Sequence, residues 1–242
     1  RPEATGYGVV YFLRNMLSHA DQEIEGKTAV ISGAGNVAIH AAEKLVQLGG
    51  KVVTLSDSGG FIYDPDGLDQ GKIDWVKRLK NERRGRISEY ADEYPEATYH
   101  EDEQPWSVEC DVALPCATQN ELDESAAKLL LKNGCIAVSE GANMPTMLEG
   151  VKAFHDAKIM YGPGKAANAG GVAVSGLEMS QNSERVSWNH ERLGEELAEL
   201  MDGIHDKCVE FGEADGYVDY VRGANIAGFK KVADAMLAFG VV

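Results

Sequence analysis

The sequence predicts an α/β protein: a doubly wound, mostly parallel sheet with a helical C-terminal segment. Three observations predict it. Short apolar runs of buried-strand length recur through the first two thirds of the chain and alternate with helix-spaced apolar patterns. The loops that follow four of these runs are small and polar (33–36, 117–120, 140–143 and 162–165). The last third shows no strand pattern and reads as three helices.

In chain order, residues 4–17 read as a helix with Val10, Leu13 and Leu17 on one stripe. Residues 28–32 read as a short buried strand bounded by Gly33. From Val37 onward Ala41, Leu45 and Leu48 continue a helix face, and residues 51–56 form a second buried strand closed by Asp57. A short strand at 61–63 lies between the turn signals Ser58-Gly59-Gly60 and Asp64-Pro65-Asp66-Gly67. Residues 73–79 look helical and lead into a basic cluster at 80–86, followed by an acidic loop through Glu103. Then come strands at 111–114, 135–139 and 158–161, separated by helices at 122–131 and up to Ala157. Helices at 166–188, 190–211 and 224–238 complete the chain. The last of them carries Ile226, Phe229, Ala233, Met236 and Leu237 on one face, which needs a cover.

The first strand, turn, helix and second strand fit within the roughly thirty residues of one βαβ unit. Its turn, Gly33-Ala34-Gly35-Asn36-Val37-Ala38, has the G-x-G-x-x-A form that binds a dinucleotide. Gly33 allows the tight turn, Gly35 lets backbone approach a pyrophosphate, and Ala38 lets the helix pack close to the strand. The helix start then offers free N–H groups and the positive end of its dipole to the phosphates. The reading is therefore a Rossmann-like dinucleotide-binding domain over 1–242, with an N-terminal helix (4–18), a core (27–165) and C-terminal helices (166–239).

Composition narrows the function further. A formal charge of −16 argues against a nucleic-acid partner, which needs clustered Lys and Arg. No run approaches the ~20 apolar residues of a membrane span. The four cysteines form no C-x-x-C pair and read as buried thiols in a reduced, cytoplasmic setting, with no metal set. Of these, Cys116 stands in a strand-end loop and is the candidate for a reactive thiol. The chain begins Arg-Pro-Glu, so it is expected to be a processed chain or a piece of a longer one.

Ligands of open α/β sheets bind outside the carboxyl ends of the strands. There Asn36, Thr118, Gln119, Asn120 and Asn143 are neutral groups suited to ribose hydroxyls or a carboxamide. Asn168, Val172, Ser175, Met179 and Asn182 share a helical face among small residues, which suggests close approach of a ligand or another backbone. A proton-transfer group is missing. His19, His40, His100, His155, His190 and His205 all read as surface or helix-face residues, and Lys165 is the only lysine in the strand-end loops. No catalytic residue is assigned.

These motifs together carry a resemblance. Arg1-Pro2-Glu3-Ala4-Thr5-Gly6-Tyr7-Gly8, GAGNVA, PCATQNEL from Pro115, EGANMPT from Glu140, GPGKAANAGGVAVSGLEMSQN from Gly162 and RGANIAGFKKVADAM from Arg222 resemble the hexameric glutamate dehydrogenases. The resemblance covers nearly the whole chain and implies their coenzyme domain. It implies Thr5 and Asn36 near the cofactor, Gly33, Gly35 and Val37 at the pyrophosphate, and Ala117, Thr118, Gln119 and Asn143 around the nicotinamide riboside. Asn168 would help place both nicotinamide and substrate, and Val172 and Ser175 would line the glutamate pocket. The reaction implied is reversible oxidative deamination of L-glutamate to 2-oxoglutarate and ammonium. The family's catalytic lysine and aspartate belong to a preceding substrate domain that nothing here matches. The isolated chain is thus expected to bind cofactor without turnover.

Cofactor choice turns on the second strand end. Asp57 could accept from a 2′-hydroxyl, favouring NAD. Ser56 and Ser58 could instead donate to a 2′-phosphate, with Lys80, Arg83, Arg84 and Arg86 supplying charge. Family members with Ser-Asp-Ser at this point tend to use NADP, so NADP is expected, with NAD as the alternative. Rival readings are a sister dehydrogenase of branched-chain or aromatic amino acids, or a non-catalytic NADP-binding module.

Overall fold

The computed structural model describes residues 2–240, and a five-stranded parallel sheet lies at its centre. The chain opens with α1 (Ala4–His19), β1 (Thr28–Ile31), α2 (Asn36–Gln47) and β2 (Lys51–Val52). Next come β3 (Thr54–Asp57), β4 (Gly60–Tyr63), α3 (Gln70–Arg78), α4 (Glu89–Glu93) and β5 (Thr98–Glu101). The alternation resumes with β6 (Val112–Leu114), α5 (Glu124–Lys132), β7 (Ala137–Ser139), α6 (Leu148–Asp156) and β8 (Met160–Gly162). The C-terminal part holds α7 (Gly164–Ala167), α8 (Gly170–Glu184), α9 (His190–Gly212), the two-residue strands β9 (Glu213–Ala214) and β10 (Tyr217–Val218), and α10 (Tyr220–Phe239).

The main sheet runs β2-β1-β6-β7-β8 with every neighbour parallel. The chain therefore moves to one side of β1 and later resumes on the other, which puts a switch point between β1 and β6. Both faces are covered, and successive strand residues serve different cores. Ala29, Ile31, Val112, Leu114 and Ala137 join the core built around α1 and α2. Val30, Ala113 and Val138 face the second core, with Trp106, Leu130 and Phe154.

Four expectations change, the plainest being the short antiparallel pair β9–β10 in the last third, where no strand was expected. Residues 51–56 are not one strand. The chain leaves the parallel ladder at Val53, and β3 pairs antiparallel with β4, which pairs with β5, in a separate three-stranded sheet. A β-rich apolar run cannot say which partner it will pair with, so the break was invisible in sequence. The acidic loop through Glu103 contains α4 and β5, whose polar residues hid them. The single helix expected at 166–188 is two, α7 and α8, broken at Asn168 and Ala169 and ending at Glu184.

The break has a packing reason. A Cβ at Gly170 would meet the Gly8 Cα at 3.1 Å and collide with the Ala4 carbonyl, so α8 touches the backbone of α1. Across the other side of α1, a Cβ at Gly6 would meet the Ala41 nitrogen and Val37 oxygen at 2.6 Å. Of the sequence's two explanations for the glycines near 170, close backbone approach holds at Gly170.

A cleft at the switch point

The first wall of the site is the turn after β1. Gly33 has φ +87° and donates its amide to the Ser56 hydroxyl at 2.7 Å. A side chain there would meet the Cys116 carbonyl oxygen at 3.0 Å, so only glycine fits. Above Gly35, in contrast, no atom lies within 4 Å of where a Cβ would be. Gly35 is also the N-cap of α2, and no side chain caps that helix. The amide end of α2 thus faces open space, the arrangement that accepts a phosphate.

Next to this turn, from Val37 onward, a cleft of about 640 Å³ lies over the tips of β6 and β7. Thr5 and Val37 form one side, Ala117, Thr118 and Gln119 the second, and Asn143, Asn168, Val172 and Ser175 the third. Cys116, Gly141, Ala142 and Gly171 also line it. Despite the break between α7 and α8, Asn168, Val172 and Ser175 converge here. Met179 lies outside this lining and is 72% exposed.

Buried side chains hold the strand tips in register. The Cys116 amide donates to Ser32 Oγ at 2.9 Å, and Thr54 Oγ1 accepts from the Ile31 amide at 2.9 Å. Glu121 Oε1 accepts from the Ala117 and Thr118 amides at 3.0 and 3.2 Å, fixing the loop after β6. Burial raises its pKa above the usual carboxylate value, against the bonds it accepts from Ser32 and the two amides. After β7, Glu140 takes the same part, accepting from the Gly164 amide at 2.6 Å and from Tyr161 and Thr146. Asn168 Nδ2 then donates to the Gly141 and Ala142 carbonyls and to Asn143 Oδ1, the last at 2.8 Å. Neither Glu121 nor Glu140 was singled out in the sequence. For Glu140 the signal available was an acid directly after a buried strand; Glu121, seven residues beyond β6, carried none.

A second cluster forms at the tip of β3. Asp57 accepts from the Ile87 and Gly59 amides at 2.9 and 3.0 Å and from Lys80 at 3.3 Å. Burial alone would raise its pKa, but those bonds and the Lys80 charge outweigh it and hold the carboxyl below its ordinary value. Arg86 donates to Ser58 Oγ at 2.7 Å, so Ser58, Lys80 and Arg86 converge beside Asp57. Ser56 is buried beneath the glycine turn, and Arg83 is held by Glu89 at 2.6 Å. Arg84 sits at φ +53° just beyond the π turn Leu79–Arg83. Asn36 is exposed and donates to the Pro2 carbonyl.

One sequence reading of a single residue is corrected. His205 is not a surface residue: it is 5% exposed, 3.2 Å from the Tyr220 hydroxyl, and burial depresses its pKa. All four cysteines are buried, as read from the sequence, and burial pushes the Cys116 thiol well up, which argues against the alternative of a reactive thiol there. Lys165 reaches Asn225 and does not line the cleft. Among the described residues, no carboxylate, imidazole or amine lines the cleft.

Comparison with known proteins now decides the family. The model of the Glutamate/Leucine/Phenylalanine/Valine dehydrogenase family matches residues 1–240. The chain belongs to that family. It is 59% identical to the glutamate dehydrogenase of Bacteroides thetaiotaomicron, with all of this chain and 54% of that protein covered. It is equally 59% identical to the NAD(P)-specific glutamate dehydrogenase of Xylanibacter ruminicola over the same shares. Among solved structures, Plasmodium falciparum glutamate dehydrogenase superposes with a TM-score of 0.96 at 47% identity, covering all of this chain and 52% of that one. The chain thus spans about half the length of the curated relatives it matches. No helix among the described residues is long and apolar enough to cross a membrane.

Proposed function

We propose that the chain is the NADP-binding coenzyme domain of a glutamate dehydrogenase, with NAD as the alternative cofactor. The full-length protein would interconvert L-glutamate, NADP+ and water with 2-oxoglutarate, ammonium and NADPH, as a cytoplasmic homohexamer. The observation that carries this reading is the shape of the cleft. Neutral hydrogen-bonding groups line it over adjacent strand tips, and Val37 on its wall follows directly on the open glycine turn at the uncapped start of α2.

In this reading the diphosphate lies over Gly35 and the first amides of α2, with Gly33 and Val37 shaping the turn. Thr118, Gln119, Asn143 and Asn168 hold the nicotinamide riboside beside Thr5 and Ala117, and Val172 and Ser175 face the glutamate side chain. The bound cofactor supplies the hydride acceptor. The cleft's own residues bind, orient and exclude water, but they hold no group able to take the proton that amine oxidation releases. That group would come from the substrate domain, so the 242-residue chain alone is expected to bind cofactor without turnover. Glutamate-dependent NADPH production by this chain alone would overturn that expectation.

The Asp57 cluster favours NADP. Its carboxylate is already engaged by two backbone amides and Lys80, which leaves it poorly placed to receive a 2′-hydroxyl. Lys80 and Arg86 supply the charge that a 2′-phosphate needs. Names do not decide the matter: at 51% identity, one relative from Haemophilus influenzae is NADP-specific and one from Bacteroides fragilis is NAD-specific. Fluorescence titration of the full-length protein is the test. NADPH should bind more tightly than NADH, and Arg86→Ala should weaken NADPH by about tenfold while leaving NADH unchanged, the loss of one charge-assisted hydrogen bond. Arg83→Ala should do less. Tighter binding of NADH would select NAD.

A further inference from the structure

Glu140 stands at the tip of β7 with 3% of its surface exposed, and no cation pairs with it among the described residues. An isolated buried carboxylate is costly unless its lone pairs are filled. Here three donors fill them, each from a different segment. Tyr161 on β8 and the Thr146 amide donate to Oε1, and the Gly164 amide at the start of α7 donates to Oε2. Burial raises the carboxyl pKa, and all three of these bonds oppose that rise.

These partners close a loop of contacts. Gly164 begins the four-residue helix that Asn168 follows as its C-cap, and Asn168 returns to bond Gly141, Ala142 and Asn143, the residues directly after Glu140. The segment after β7 and the segment after β8 are thus joined twice, at the buried base by Glu140 and at the cleft wall by Asn168. Neither can shift without breaking a bond to the other. Glu140 itself does not line the cleft.

We infer that Glu140 is a positioning residue that, through the Gly164 amide and the Tyr161 hydroxyl, sets Asn168 and Asn143 to receive the nicotinamide end of the cofactor. The inference rests on the cofactor reading above. Displacing a positioning group by about 1 Å costs roughly a hundredfold in rate. Glu140→Gln keeps the shape but turns an acceptor into a donor toward one of the three partners.

The test uses the full-length protein and two probes, NADPH and adenosine 2′,5′-bisphosphate, which lacks the nicotinamide. Glu140→Gln is expected to lower kcat by about ten- to a hundredfold and to weaken NADPH. It should leave the bisphosphate affinity unchanged and speed hydrogen exchange at Gly164. Tyr161→Phe, which deletes one of the three donors, should move the same readouts less and keeps the inference testable if Glu140→Gln fails to fold. Variants that retain wild-type kcat and NADPH affinity would overturn the assignment alone, as would equal weakening of both probes. Wild-type protein that binds neither probe would overturn the cofactor reading and this assignment with it.

Discussion

α1 and α10 are both long, largely apolar helices, yet they end in opposite environments. α1 buries residues on all sides, from Ala4 and Gly6 through Phe12 and Leu13 to Leu17. It lies between α2, α8 and the sheet. Only Tyr220 and Gly223 of α10 are buried, both in its first turn, while Phe229 and Leu237 are 74% and 85% exposed. The difference lies in what each helix can reach. Gly6 and Gly8 let neighbouring backbones close on both sides of α1. α10 has such a contact only at Gly223, packed on Gly212 and Cys208 of α9; its later turns run along α9 but leave their large apolar side chains exposed. Apolar composition demands a cover; it does not provide one.

The sharpest break of this contrast is at Phe12, which is fully buried against His205 and Tyr220. Phe12→Ala should cost about 3–5 kcal/mol in denaturant unfolding, the range for a large aromatic removed from a packed core. A cost below 1 kcal/mol would mean that α1 is not held as described.

A smaller effect is expected from pH at the junction between the two helices. His205 faces Phe12 and His19 on α1 and Tyr220 on α10, with Asp202 and Asp206 on its own helix. Burial lowers its folded pKa below the ordinary 6.5, so the unfolded chain takes up a proton first as pH falls. The stability due to neutral His205 is present above about pH 6.5 and is lost as pH drops through the folded pKa. Melting temperatures of wild type and His205→Gln, measured from pH 8 to pH 5, should converge toward acid. Parallel curves would exclude the effect.

The smallest change is expected at Phe229. Phe229→Ala should alter the stability of this chain by less than about 0.5 kcal/mol, as for other exposed positions. Amides of α10 beyond its first turns should exchange fast, since little packs on them. A cost comparable to Phe12→Ala, or full protection, would show this face covered by another copy. In that case the contrast between the helices would disappear.

The contrast also shows what could be read in advance. The glycine turn at Gly33 to Ala38 was legible because each position answers a local need: positive φ, open space, or a small side chain. The run at 51–56 was not, because pairing with β1 and pairing with β4 ask for the same apolar residues. Glu140 and Glu121 escaped notice for a related reason. A single acid has no periodicity, and its value lies in which amides surround it. His205 read only as a surface or helix-face residue because the spacing of α9 alone does not reveal that α1 and α10 pack over it.

By itself the sequence determined the alternating α/β plan, the tight glycine turn and the set of neutral side chains on the strand tips, because propensity, periodicity and turn chemistry act over a few residues. The tertiary structure alone decided that β3 leaves the sheet, that Asn168 turns back onto Asn143, that a cation-free carboxylate ties two loops together, and that α1 is covered while α10 is not. Each of these depends on groups far apart in the chain meeting at contact distance, and no local preference encodes that distance.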